Sequence, residues 1–175
     1  MTRAGSIGLA ASLAFAPASS FAQAVSDAQI AAIVLTANQV DVDAGRVAAA
    51  RASDTAVKTF ATLMVTDHTA VNASATELAA RLRLAPEDNA TSRALKEGGA
   101  AHLATLKGVE GAAFDRAYVA QEVTYHQKVL DALDKVLIPN AKNSELKALL
   151  VKVRPAFVAH LEHATQLQAS TRDRR

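Results

Sequence analysis

The sequence has no cysteine and no tryptophan, and its 175 residues include only two tyrosines, two methionines and four prolines. Without cysteine there can be no disulfide, no thiolate metal ligand and no thiol nucleophile. With two methionines, a thioether copper(I) site is poorly supplied. Scarce aromatics beside abundant alanine argue against a sheet, which would draw on Val, Ile, Tyr and Thr, and favour closely packed helices. A dominant charge sign is missing as well: 19 Lys and Arg face 17 Asp and Glu, with no basic block, so no nucleic-acid partner is expected. The closing residues 171–175, TRDRR, read as a solvated basic tail.

At the other end, MTRAGSIGLAASLAFAPASSFAQA carries one early positive charge at Arg3, then an apolar run, then Ala22-Gln23-Ala24. This is the three-part pattern of a secretory signal over 1–24, cleaved after Ala24, and it predicts a periplasmic protein. The apolar run is too short and too rich in small residues for a membrane anchor, which needs about 20 apolar residues. No stable membrane insertion is therefore expected after cleavage. Losing Arg3 takes the formal charge from +2 to +2 − 1 = +1.

The remaining chain, 25–170, reads as a single domain of four long amphipathic helices. The first starts at Ser26, where Ser26 and Gln29 have capping-box spacing, and its apolar stripe runs Ile30, Ile33, Val34, Ala37, Asp41, Ala44, Ala48. A break at Arg51 to Asp54 leads to the second, with Ser53 or Asp54 as cap and the stripe Val57, Phe60, Ala61, Met64, His68, Val71, Ala75, Leu78, Leu82. Residues 85–112 form a long connection that holds a weak helical segment, interrupted at Gly98-Gly99. The third long helix begins near Ala113 and should stop before Pro139; its stripe includes Phe114, Tyr118, Glu122, His126, Val129 and Leu133. The fourth is capped by Ser144, carries Leu146, Leu150, Phe157, His160 and Ala164, and should kink or split at Pro155. One long crossover between the second and third long helices, with short links elsewhere, is the ferritin-like version of a four-helix bundle.

Each long helix thus places one metal-capable side chain on its apolar face: Asp41, His68, His126 and His160. Counted from the two short turns, each pair has an axial offset of roughly 6 Å at 1.5 Å per residue, within side-chain reach. Three imidazoles and a carboxylate suit one transition-metal ion such as zinc, copper or iron. Asp67, Tyr118, Glu122 and His163 stand near enough in sequence to orient or join that set. A hydrogen-bonded polar network without metal would satisfy the same groups. His102 reads as an exposed residue of the connection, and Gly45 as a point of close helix packing. A metal-dependent enzyme and a metal-free structural or partner-binding bundle stay open beside a metal-binding protein. So does a homodimer, and no protein partner is specified.

The stretches FATLMVTDHTAVN, GAAFDRAYVAQEVTYHQKVL and LKALLVKVRPAFVAHLEHA together resemble the bacterial domain-of-unknown-function family four-one-four-two. The resemblance implies a small exported protein with a ferritin-like bundle and adds no activity. Where the family pattern commonly has Glu four residues before a Gly, this chain has Asp41 before Gly45, and Arg154-Pro155 replaces the usual Leu-Pro. A standard di-iron centre is not expected, because such bundles use Glu-x-x-His on two helices and no Glu-x-x-His occurs here.

Overall fold

The computed structural model describes residues 25–172. The secretory signal expected over 1–24 and the last three residues of the basic tail lie outside the described residues. The chain is an all-α helical bundle built from α1 (Asp27–Arg51), α2 (Thr55–Arg81), α3 (Ala90–Lys107), α4 (Gly111–Ala132) and α5 (Ser144–Arg172). After Ala132, α4 continues through a π-helical turn, Leu133–Leu137, and a last turn at Ile138–Asn140.

The helix starts follow local chemistry. Ser26 and Gln29 make the expected capping box, and Asp54 caps α2 by accepting from the Ala56 N–H at 2.7 Å. At α5 the cap is Asn143 rather than Ser144: its Oδ1 accepts from the N–H groups of Glu145 and Leu146 at 2.9 and 3.1 Å.

Two expected breaks do not occur. α4 runs on past Pro139, and the turn just before it widens, with the Ile138 N–H bonded to the Leu133 carbonyl, five residues back. A proline ring crowds the carbonyl four residues before it. The wider π turn relieves that crowding, which is our account of its position. α5 is not split at Pro155. The carbonyl four residues earlier belongs to Val151, which is 52% exposed, so water can take the bond the proline cannot make. The connection also differs from expectation, since α3 is an unbroken helix across Gly98-Gly99. At Gly99 a Cβ would lie 2.8 and 2.9 Å from the two γ-methyls of Val40, so the bare glycine lets α3 lie flat on α1.

Tertiary hydrogen bonds fix the direction of every helix. The Glu87 N–H reaches the Ala28 carbonyl at 3.0 Å, so the end of α2 returns to the start of α1. α3 then runs alongside α1 for about 27 Å at 1.5 Å per residue. At its far end Arg51 donates to the carbonyls of Leu106 and Val109 at 2.9 and 3.0 Å. There α4 starts beside the α1–α2 turn. The buried Asp115 carboxylate accepts from the Ser53 and Asp54 N–H groups, both at 2.9 Å, and from the Ser53 hydroxyl. At the opposite end the Asp27 carboxylate accepts from the Lys142 and Asn143 N–H groups, both at 2.9 Å. Hence α4 is parallel to α2 and antiparallel to α1, and α5 returns antiparallel to α4.

The core falls into two apolar clusters. One, near the α1–α2 turn, holds Val57, Phe60, Met64, Phe114, Tyr118 and Leu167. The other, toward the α4–α5 turn, holds Ile30, Ile33, Leu78, Leu133, Leu150 and Phe157. Asp41, His68, His126 and His160 are all buried, and each lies between the residues that its helix gives to one cluster and those it gives to the other.

Two substitutions test this architecture. Asp115→Ala removes the acceptor of two part-buried backbone N–H groups of the α1–α2 turn and should lower stability by roughly 1–3 kcal/mol in chemical denaturation. Gly99→Ala gains about 1 kcal/mol of helix propensity, but forces a methyl onto the stiff Val40 side chain, where overpacking costs about 1–3 kcal/mol. The net effect should be a lower Tm by thermal scan, and an unchanged or raised Tm would refute the tight α1–α3 contact.

Candidate metal centre

The centre lies where all four long helices of the bundle meet, and its order begins with the ring nitrogens that point away from it. On α2, His68 Nδ1 is 2.7 Å from Asn38 Oδ1. The Asn38 amide is fixed in turn, because its Nδ2 donates to the Val34 carbonyl at 2.8 Å, which leaves Oδ1 as the acceptor facing His68. On α4, His126 Nδ1 is 3.0 Å from the Glu122 backbone carbonyl, one turn back. On α5, His160 Nε2 is 2.8 Å from Asp67 Oδ2, which reaches across from α2. Each partner is an acceptor, so each of these nitrogens carries the proton. For neutral rings this leaves His126 Nε2 and His160 Nδ1 with the lone pairs, while His68 Nε2 faces the Asp41 carboxylate, so that ring has an acceptor on both sides.

Those three nitrogens are buried without a hydrogen-bond partner, as are both Asp41 carboxylate oxygens. They face one another. One ring nitrogen from each of His68, His126 and His160 lies within 4.8 Å of the other two. Asp41 Oδ2 is 2.8 Å from His68 Nε2 and 3.5 Å from His126 Nε2. The 2.8 Å approach lacks the alignment of a hydrogen bond, so it is a contact between convergent groups. A buried polar atom without a partner costs about 1–3 kcal/mol. Five of them would consume most of the roughly 5–15 kcal/mol by which a domain is stable. The candidate ligands fall into two groups that share His126: His68, His126 and His160 in one, and Asp41, Glu122 and His126 in the other.

Electrostatics keep the imidazoles suitable as ligands. Burial holds His126 down to about 4, against the pull of the Asp41 carboxylate. Burial also lowers His160, opposed by its bond to Asp67. Burial would raise Asp41, but the surrounding imidazoles, His68 foremost, outweigh it and keep the carboxyl below its usual value. Burial and the Asp41 charge push Glu122 well above the usual carboxylate range. Its neutral form is therefore favoured while Asp41 stays ionised.

The side chains singled out in the sequence sort as follows. Asp41, His68, His126 and His160 come together. Glu122 is closer than a supporting neighbour, because its carboxylate, Asp41 and His126 form a second group of atoms within 4.8 Å of one another. Asp67 holds His160. The buried Tyr118 hydroxyl interacts with the Glu122 carboxyl without hydrogen-bond alignment. His163 does not join: its ring packs edge-on against Phe60 at 5.0 Å between centroids. His102, expected to be exposed, is half-buried, and its Nε2 is buried without a partner. The sequence reading missed Asn38, although it lies three residues before Asp41 on the same helix face.

The depressed His126 pKa has a consequence for the metal-free protein. In the unfolded chain an ordinary histidine takes its proton near pH 6.5, while in the fold His126 resists protonation down to about pH 4. Its contribution to stability is thus present above pH 6.5 and is lost as the pH falls toward 4, by up to about 1.4 kcal/mol per pH unit. Glu122, with a raised pKa, acts with the opposite sign. Denaturant titrations of the wild type and His126→Gln across this window should therefore differ in slope, the variant losing less stability on acidification. Parallel curves would contradict a neutral, buried His126.

No curated protein and no solved structure matches the chain significantly. The profile of the domain of unknown function (DUF4142) matches residues 11–167, nearly the whole of the 175-residue chain. The chain that forms this centre belongs to the DUF4142 family.

Proposed function

We propose that this protein binds one divalent transition-metal ion through Asp41, His68, His126 and His160, as a metal-buffering or metal-carrying protein of the periplasm. The observation that supports this reading most directly is the group of three buried imidazoles, each anchored from behind, with the buried Asp41 carboxylate against two of them. A metal-free network would have to draw on the neutral Glu122 carboxyl, beside Asp41 and His126, as its donor. Three nitrogens and one oxygen, without sulfur, suit zinc, copper(II) or iron(II). The carboxyl-poor set supports a single ion over a di-iron pair. Asn38, Asp67 and the Glu122 carbonyl would hold the rings in place before the ion arrives, as outer partners of metal-bound imidazoles do.

The location rests on the signal-like first 24 residues. Among the described residues, no helix is long and apolar enough to cross a membrane. A ferritin-like classification is supported by the connection along α3, which spans the bundle and brings α4 parallel to α2.

Metal content of untagged protein, exported to the periplasm and purified, provides the test. Mass spectrometry should find close to one ion per chain in the wild type and in His163→Ala, and little in His68→Ala or His126→Ala with helicity retained. At a free metal concentration 100 times Kd, binding should stabilise the wild type by about 2.7 kcal/mol. A wild type that carries no metal and takes up no zinc, copper or iron on titration refutes the proposal. The buried groups would then be a polar core that sets helix register.

A further inference from the structure

We infer that the centre has a built access route for a divalent cation between α3 and α4, and that His102 is a transient ligand on it. The inference rests on the metal-binding reading above and says how the ion arrives.

A cavity of about 300 Å³ lies between α1, α3 and α4, and its wall includes Asp41, Glu122, His102 and Gly98. Asp41 and Glu122 are each only 2% exposed, and both carry carboxylate oxygens without hydrogen-bond partners. The cavity therefore ends on unpartnered oxygen ligands of the centre. A second, more superficial hollow between α3 and α4 shares Gly98, His102 and Gln121 with it. His102 thus belongs to both, at the step from surface to interior. Its Nε2 is buried and unpaired, and burial lowers its pKa, so the ring is neutral and can offer a lone pair to a passing cation. Transfer from a neutral imidazole to a pair of acidic side chains avoids leaving the ion without ligands inside the bundle.

The glycines of α3 fit this role. Gly99 is needed for contact with α1, but a Cβ at Gly98 would meet nothing within 4 Å. A glycine in mid-helix without a packing reason costs about 1 kcal/mol relative to alanine. Gly98 is exposed and borders both hollows, so it marks the outer rim of the route. The other cavity beside the centre, of about 220 Å³, reaches His68 among Ile33, Val129, Leu150 and Phe157. That wall is mostly apolar and carries no carboxylate or second imidazole before the centre, while Lys128 borders both cavities. The His102 side is the favourable one.

The test is stopped-flow loading of the metal-free full chain with Co2+, followed by visible absorption, in the wild type, His102→Ala and Gly98→Leu. Gly98→Leu sets a bulky side chain at the rim that both hollows share, without disturbing a packed contact. Both variants should load at least about tenfold more slowly, yet reach the wild-type metal content at equilibrium, with unchanged circular dichroism. His102→Ala loading at the wild-type rate overturns the role of the imidazole. Gly98→Leu loading at the wild-type rate overturns the route. If the wild type takes up no metal at equilibrium, the metal-binding proposal fails first and this one with it; a loaded wild type with fast variants refutes the route alone.

Discussion

The structure depends on one constraint: Asp41, His68, His126 and His160, from four helices, bring five nitrogen and oxygen atoms without hydrogen-bond partners into the middle of the bundle. Everything around this plane keeps it aligned. Gly45 brings α1 close to α2, where a Cβ would be 3.1 Å from the Ala61 carbonyl, and so sets Asp41 opposite His68. The apolar clusters above and below exclude water, which strengthens any attraction between a bound cation and the Asp41 carboxylate. The same burial makes any of these polar groups left without a partner costly.

The bundle answers that cost at its ends. Asp115 ties the start of α4 to the α1–α2 turn, and Asp27 ties the α4–α5 turn to the start of α1. Both carboxylates accept backbone N–H groups from distant parts of the chain. Together they fix the axial position of α1 against α4, and hence of Asp41 against His126. A slip of one turn, about 5.4 Å, would take the carboxylate out of reach of the imidazoles.

The parts of this arrangement that were legible in sequence are those with a local cause. The apolar periodicity gave the four long helices, the capping box at Ser26 gave the first start, and an ionisable residue within each apolar stripe gave Asp41, His68, His126 and His160. What could not be read has long-range causes. Gly98-Gly99 looked like a break because glycine lowers helix propensity. α3 is held instead by its contact with Val40, its Asn89 cap and the Arg51 bonds at its far end. Pro155 is tolerated because the affected carbonyl faces solvent, and sequence does not tell which face that will be. Asn38 was legible in principle, since a lone amide on a buried stripe needs a partner, but its pairing with His68 depends on how α1 and α2 dock.

The asymmetry of the centre bears on the proposed metal-binding role. The histidine side is backed by Asn38, Asp67 and Phe157 and borders an apolar cavity. The acidic side faces a cavity through Asp41 and Glu122. A purely structural ion needs neither an approach path nor unpaired ligands along it, since it can be captured as the chain folds. A catalytic ion needs an open position that a substrate can reach. Here the open side is narrow, acidic and crossed by an imidazole, features that suit a cation more than an organic substrate. On the proposed metal-binding reading the geometry favours exchange over catalysis: the anchored imidazoles would hold the ion, and the carboxyl groups on the cavity side would take it in and let it go.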